Sequence, residues 1–232
     1  MTSLALVIGA GPGLSASISR VLSQRSYHPI LVARDISKLD ALCAEVNGTA
    51  LQCDASRPDA VADLFRTIDS MDGSLDVAVY NPSPWTRGSI TELDPLEVHK
   101  VLEVTAFGAF LMAQQAATRM LNTGGGTMLF TGASSGVKGY ANSAPYAMGK
   151  FALRGLCQSL ARELHPQNIH IGHVVIDGRI GKAGQEENST SSDPTYSPMD
   201  PDKIARSYIH LIEQHRSCWS WEIELRPWVR QF

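Results

Sequence analysis

Short apolar runs alternate along this chain with longer stretches whose apolar residues recur every three or four positions. Residues 4–8 form the first run and read as a buried strand. Residues 15–25 follow as a helix with Ile18, Val21 and Leu22 turned inward. The pattern repeats as strand 30–33 and helix 37–46, strand 50–53 and helix 58–71, then strand 77–80 and a long helix over about 95–121. Val61, Leu64, Phe65 and Ile68 share one face of the third helix. Gly124-Gly125-Gly126 turns the chain into strand 128–131, and helix 146–164, strand 169–176, helix 201–213 and strand 219–225 complete it. Trp219, Trp221, Ile223 and Leu225 alternate, which predicts one apolar face on the last strand. Such alternation predicts an α/β fold with a parallel sheet and helices on both faces. Ligands of these sheets bind beyond the carboxyl ends of the strands, where strand order reverses.

The 232 residues fit one domain spanning 1–232, and 44% hydrophobic content allows a sizeable core. A net charge of -3 gives no reason to invoke nucleic acid or a membrane surface. No run is long enough to cross a membrane. The chain enters its first strand almost at once, so no secretory leader is expected and a cytoplasmic protein is. Cys43, Cys53, Cys157 and Cys218 lack C-x-x-C spacing and read as reduced thiols. The seven histidines form no metal-ligand cluster. Residues 182–200, rich in Ser, Thr and Pro, are too polar to bury a core. They follow the sixth strand, so they overhang the expected site, either as a surface insertion or as a substrate lid, the reading preferred here.

Two motifs carry chemistry. The first is Gly9-Ala10-Gly11-Pro12-Gly13-Leu14-Ser15, between the first strand and first helix. Glycines let a backbone approach a pyrophosphate, and the helix N-terminus offers free N–H groups and a positive dipole. The second is Tyr146-Ala147-Met148-Gly149-Lys150. Four residues apart on a helix, the two side chains lie one turn from each other. A nearby ammonium favours the phenolate and lowers the phenol's pKa. Such a tyrosine passes a proton to or from an oxygen while hydride moves at the adjacent carbon.

Together these residues resemble the short-chain dehydrogenase/reductase family over nearly the whole chain. The resemblance implies a single-domain Rossmann fold with a seven-stranded parallel sheet, order 3-2-1-4-5-6-7. It implies transfer of hydride between a nicotinamide cofactor and a carbonyl or alcohol. Cofactor contacts then fall on Gly9, Gly11, Pro12, Gly13, Leu14, Arg34, Asp54, Ala55, Asn81, Pro82, Lys150, Gly178 and Ile180. Asp54 matches the acidic residue that touches the adenine. Asn81 matches the last Asn of the family's N-N-A-G turn, from which Tyr80, Pro82 and Ser83 depart. Asp177-Gly178 keeps the glycine of a family Pro-Gly and loses the proline. Tyr146 and Lys150 match the catalytic columns, but the helix asparagine falls on Thr105 and the active-site serine on Ala133. Ser134 and Ser135 follow at once; Ser134, nearer the expected column, is preferred as the hydroxyl that orients the substrate, with ordinary turn serines as the alternative for both.

The end of the second strand reads out the cofactor. NAD enzymes place an acidic side chain there for the ribose 2′-hydroxyl. Here Ala33 leaves room for a phosphate and Arg34 can pair with it, so NADP(H) is expected. The functional expectation is an NADPH-dependent reductase of a ketone or aldehyde, with Tyr146 as proton donor, Lys150 lowering its pKa and holding the nicotinamide ribose. With Thr105 and Ala133 altered, an imine reductase, or a cyclase or lyase on the same scaffold, is an alternative, and a non-catalytic NADP(H) sensor is another. The partner is a small-molecule substrate, chosen by residues 82–88, including Trp85, and by the polar loop. By analogy with the family, a homodimer or homotetramer forms through the helices that start near Pro95 and Tyr146, the latter carrying Phe151, Leu153, Leu156 and Leu160.

Overall fold

The computed structural model describes residues 2–184 and 197–229. Seven parallel strands form one sheet in the order β3-β2-β1-β4-β5-β6-β7. They are β1 (Ser3–Ile8), β2 (His28–Ala33), β3 (Thr49–Gln52), β4 (Ser74–Tyr80), β5 (Gly126–Thr131), β6 (Ile169–Ile176) and β7 (Glu222–Leu225). Every residue of β6 is buried, as expected of a strand covered on both faces. Helices α1 (Leu14–Gln24), α2 (Asp40–Val46) and α7 (Pro201–Glu213) cover one face, burying Ile18, Leu22, Leu42, Ile204 and Tyr208. Helices α3 (Pro58–Asp69), α5 (Gly108–Thr123) and α6 (Ala144–Leu164) cover the other with Phe65, Met112, Leu153 and Cys157. Order reverses between β1 and β4, which sit side by side with Ile8 against Tyr80. The expected architecture is therefore present, and the reversal opens a crevice at the carboxyl ends of the strands.

Three departures from the expected elements have local causes. The second helix begins at Asp40 rather than at residue 37. The Asp35 carboxylate accepts hydrogen bonds from the backbone N–H and hydroxyl of Ser37, at 3.1 and 2.6 Å, and so holds those residues in a turn. The long helix is not continuous α-helix. It runs as α4 (Pro95–Leu102), a π-helical turn (Glu103–Phe107) and α5. The buried Tyr80 phenol donates to the Val104 carbonyl at 2.5 Å, inside that turn, and engages a group that a regular ladder would use. A Cβ at Gly108 would collide with the Tyr80 hydroxyl and the Ala55 carbonyl, so Tyr80 and Gly108 fit only as a pair.

The last strand is shorter than expected; Ile223 and Leu225 form its apolar face, and the two tryptophans of the predicted stripe precede it. Trp219 lies before it, stacked on His170 with ring centres 4.7 Å apart, its indole N–H donating to the Gln214 carbonyl. Trp221 packs with the core under α6, whereas Ile223 and Leu225 pack with the core under α7. The apolar surface of α6 is also narrower than the sequence implies. Leu153 is buried and Leu156 and Leu160 pack against the core, which leaves Met148 and Phe151 outside. Among the described residues no helix is long and apolar enough to cross a membrane.

Candidate active site

The glycine turn is shaped by two different demands. Gly9 and Gly13 adopt positive φ of 84° and 97°, which L side chains rarely tolerate. A Cβ on Gly9 would also meet the Pro82 nitrogen at 2.8 Å. Gly11 faces open space. Asn81 braces the turn: its amide donates to the Ser15 hydroxyl at 2.6 Å, which donates to the Gly9 carbonyl at 2.7 Å. The end of β4, the turn and the start of α1 are thereby locked together.

Two adjoining hollows occupy the carboxyl edge of the sheet. One, about 770 Å³, is lined by Gly9, Ala33, Arg34, Lys38, Asp54, Ala55 and Pro82. Asp35 also reaches it, but its carboxylate is held by Ser37 and by Lys38 at 3.3 Å. Burial works against the Asp54 carboxylate, yet two hydrogen bonds from Ser56 and the charges of Arg34 and Arg57 leave its pKa lowered. The other hollow, about 740 Å³, is lined by Pro12, Gly13, Leu14, Asn81, Ser134, Ser135, Tyr146, Gly178 and Ile180. Ser83 and Trp85 line both. A further cavity of about 970 Å³ lies between the base of the polar loop and the tail; it has no lining residue in common with either hollow.

Tyr146 and Lys150 come from the start of α6. The Tyr146 ring stacks on Trp85, with centres 5.8 Å apart and planes 18° from parallel. Its hydroxyl lies 3.2 Å from the Ser83 hydroxyl. Lys150 is 1% exposed and stands behind the cleft wall, donating to the Thr131 carbonyl at 2.8 Å. Its ammonium sits over the tyrosine ring, 5.7 Å from the centre. The electrostatics differ from the expected lowering of the phenol pKa. Burial pushes Tyr146 up, more than the Ser83 hydrogen bond pulls it down. Burial likewise pushes Lys150 down, to about 8.

The two replaced columns behave differently. Thr105 sits in the π-helical turn, wholly buried against Gly149, and its hydroxyl has no hydrogen-bond partner among the described residues. Ala133 is extended at the end of β5 and contributes only a methyl group. Ser134 and Ser135 begin the short 3-10 turn that follows; both line the cleft, and neither hydroxyl is hydrogen-bonded to Tyr146. Among the described residues the hydroxyl that meets Tyr146 is that of Ser83, expected from the sequence only as a departure from a motif within the substrate-choosing segment 82–88. Its signal was available in the Pro82-Ser83-Pro84 flank beside a missing serine at Ala133.

Asp177, in place of the family's proline, is buried and pairs with Arg226 at 3.2 Å, tying the end of β6 to the tail. Gly178 has no room for a side chain beside Met199 and Pro227. Ile180 forms a bridge with Met199, so the polar loop leaves and rejoins the fold at the cleft rim. Residues 185–196 of the predicted lid lie outside the described residues.

The sequence profile described as "short chain dehydrogenase" matches residues 3–185. Carbonyl reductase family member 4 of Xenopus tropicalis is 29% identical over 218 residues, 92% of each chain. The crystal structure of a short-chain dehydrogenase from Rhodopseudomonas palustris is 30% identical, with a TM-score of 0.84 over 97% of this chain and 99% of that one. A metagenomic short-chain oxidoreductase solved in complex with NADP is 27% identical, with a TM-score of 0.82 over 97% of each chain. The glycine turn, the Tyr146–Lys150 helix and the strand order agree with these likenesses, and the chain belongs to the short-chain dehydrogenase family.

Proposed function

We propose that this protein is an NADPH-dependent reductase of ketones or aldehydes in small organic molecules, with Tyr146 as the proton donor. One observation carries the reading: the Tyr146 hydroxyl opens into the same continuous cleft as the glycine turn. The residues suit a dinucleotide phosphate. Gly9 and Gly13 present backbone to the N-terminus of α1, and Arg34 and Lys38 supply positive charge at the far hollow. The charge of Asp35, which also reaches that hollow, is offset by its pair with Lys38 at 3.3 Å.

Once bound, the cofactor supplies a hydride to the carbonyl carbon. Tyr146 gives its phenolic proton to the developing alkoxide, and solvent restores it. Ser134 or Ser135 holds the substrate oxygen from the facing wall. Lys150, charged at neutral pH behind the ring, stabilises the phenolate that forms. Trp85 and Arg87 border the substrate end, with Arg87 placed over the indole at 5.8 Å.

NADPH is expected to bind at least tenfold more tightly than NADH, and Arg34→Ala to remove most of that preference. A charge-assisted bond to phosphate has about this strength. Titration of each cofactor against intrinsic fluorescence checks it; equal or tighter NADH binding rejects NADPH specificity. Ala133, which offers a methyl group where the family has a hydroxyl, favours a second reading, in which the site reduces an iminium or shapes a cyclisation or elimination. Stoichiometric NADPH consumption with a carbonyl substrate separates reduction from cyclisation.

Phe107, stacked on Phe110, and Met148 and Phe151 of α6 remain exposed. We read them as the face of a homodimer or homotetramer. Sedimentation at micromolar concentration should give at least a dimer mass; a monomer would reject the assembly.

A further inference from the structure

We propose that Ser83 is a positioning residue for Tyr146, taking over from the β4 loop the hydroxyl that Ala133 cannot supply. The inference rests on the reading of Tyr146 as proton donor. Three observations carry it. The Ser83 hydroxyl is the group that meets the Tyr146 hydroxyl, at 3.2 Å. Ala133 presents a methyl group, and Ser134 and Ser135 are not hydrogen-bonded to the phenol. Ser83 also lies where the two hollows join, within reach of whatever occupies the cleft.

The loop that carries Ser83 is built for placement. Pro82 and Pro84 flank it, so ring closure fixes both neighbours, and the residue before a proline is confined to extended backbone. Pro82 is seated against Gly9 so closely that no side chain fits between them. Asn81, one residue earlier, is tied to the glycine turn through Ser15. Ser83 is therefore referenced to the cofactor-binding turn rather than to the strand β5 loop.

The chemistry follows from what a phenol can share. A tyrosine oxygen accepts one hydrogen bond while donating its own proton. With the Ser83 O–H donating to it, the Tyr146 proton is left pointing at the substrate. As hydride forms the new C–H bond, the carbonyl π pair moves to oxygen, and the Tyr146 O–H breaks to form the alcohol. The phenolate left behind keeps the Ser83 hydrogen bond, which strengthens as charge develops. Solvent returns the proton. Stabilisation that grows toward the transition state appears in kcat rather than in substrate binding.

The test uses the full-length protein with NADPH and two probe carbonyls, ethyl acetoacetate and 4-nitrobenzaldehyde. Ser83→Ala is expected to lower kcat about ten- to a hundredfold, more than Ser134→Ala or Ser135→Ala, with KM and NADPH affinity within about threefold of wild type. Ser83→Thr, which keeps a hydroxyl, should recover most of the loss. In the reverse direction, with NADP+ and the product alcohol, the rise of rate with pH should move upward in Ser83→Ala, because the hydrogen bond that favours the phenolate is gone. Carbon-13 NMR of ζ-labelled tyrosine, with the Tyr146 signal assigned by its loss in Tyr146→Phe, follows the same titration without any substrate. A Ser83→Ala protein with wild-type kcat and an unmoved Tyr146 titration overturns the inference, as does a larger loss in Ser134→Ala. Turnover retained in Tyr146→Phe instead overturns the proton-donor reading itself.

Discussion

Tyr146→Phe is expected to lower turnover about a hundred- to ten-thousandfold while leaving NADPH affinity within about twofold of wild type, the range that loss of a positioned general acid produces. The substitution removes one oxygen and little else. That oxygen touches the Ser83 hydroxyl, and the ring keeps its stack on Trp85. The glycine turn and Arg34, which would bind the cofactor, lie elsewhere along the cleft. Binding and chemistry should therefore separate in this variant, with kcat and kcat/KM falling together. The pH dependence has a definite sign. Burial raises the Tyr146 pKa, so the phenol stays protonated and ready to act as an acid throughout the neutral range. Alcohol oxidation, which needs the phenolate, should accelerate as pH rises, and Tyr146→Phe should flatten that rise. Steady-state rates from pH 6 to 10 in both directions check it. A kcat within threefold of wild type would place the proton donor on another residue.

The order of the strands, the glycine turn and the Tyr146–Lys150 helix were all legible because each rests on local information. Periodicity marks a buried strand within a few residues, and a glycine with positive φ announces its own turn. What escaped depends on pairs far apart in the chain. Tyr80 looked like damage to a motif, yet it reaches Val104 and explains both the π-helical turn and Gly108. Asp177 looked like a lost proline, and its reason is Arg226, on the tail. Ser83 meets Tyr146 across 63 positions of sequence. The misread phenol pKa has the same origin. Helical spacing of four brings the Lys150 ammonium near the Tyr146 ring, but spacing says nothing about how much water either group loses, and burial is what raises the phenol. Tyr80, Ser83 and Asp177 are thus each matched by a distant partner. Thr105 and Ala133 are not: the buried Thr105 hydroxyl has no partner among the described residues, and Ala133 offers only a methyl group.

Lys150→Met should make the protein more stable at neutral pH and far less active. The ammonium is buried, and burial holds its pKa at about 8 against an ordinary value of 10.5. One pKa unit corresponds to about 1.4 kcal/mol, so keeping this group charged in the fold costs about 3 kcal/mol. The sign follows from proton counts. Below pH 8 both folded and unfolded chains carry the proton, and the cost is fully present. Between 8 and 10.5 the unfolded chain binds more protons than the folded one, so wild-type stability rises with pH until the cost is relieved. Methionine fills a similar volume with no charge, but the Thr131 carbonyl loses a donor, a loss of about 1 kcal/mol. The net gain at pH 7 is then about 2 kcal/mol, or a Tm higher by about 4–8 °C in a domain of this size. The difference should shrink toward pH 10. On the reading of Tyr146 as proton donor, activity should fall because the phenolate formed there loses the Lys150 ammonium from behind its ring, a trade of stability for function. Thermal denaturation at pH 7 and pH 10, beside NADPH oxidation, checks both halves. A lower Tm at pH 7 would show that the ammonium, through Thr131 or a bound cofactor, holds the fold together rather than straining it.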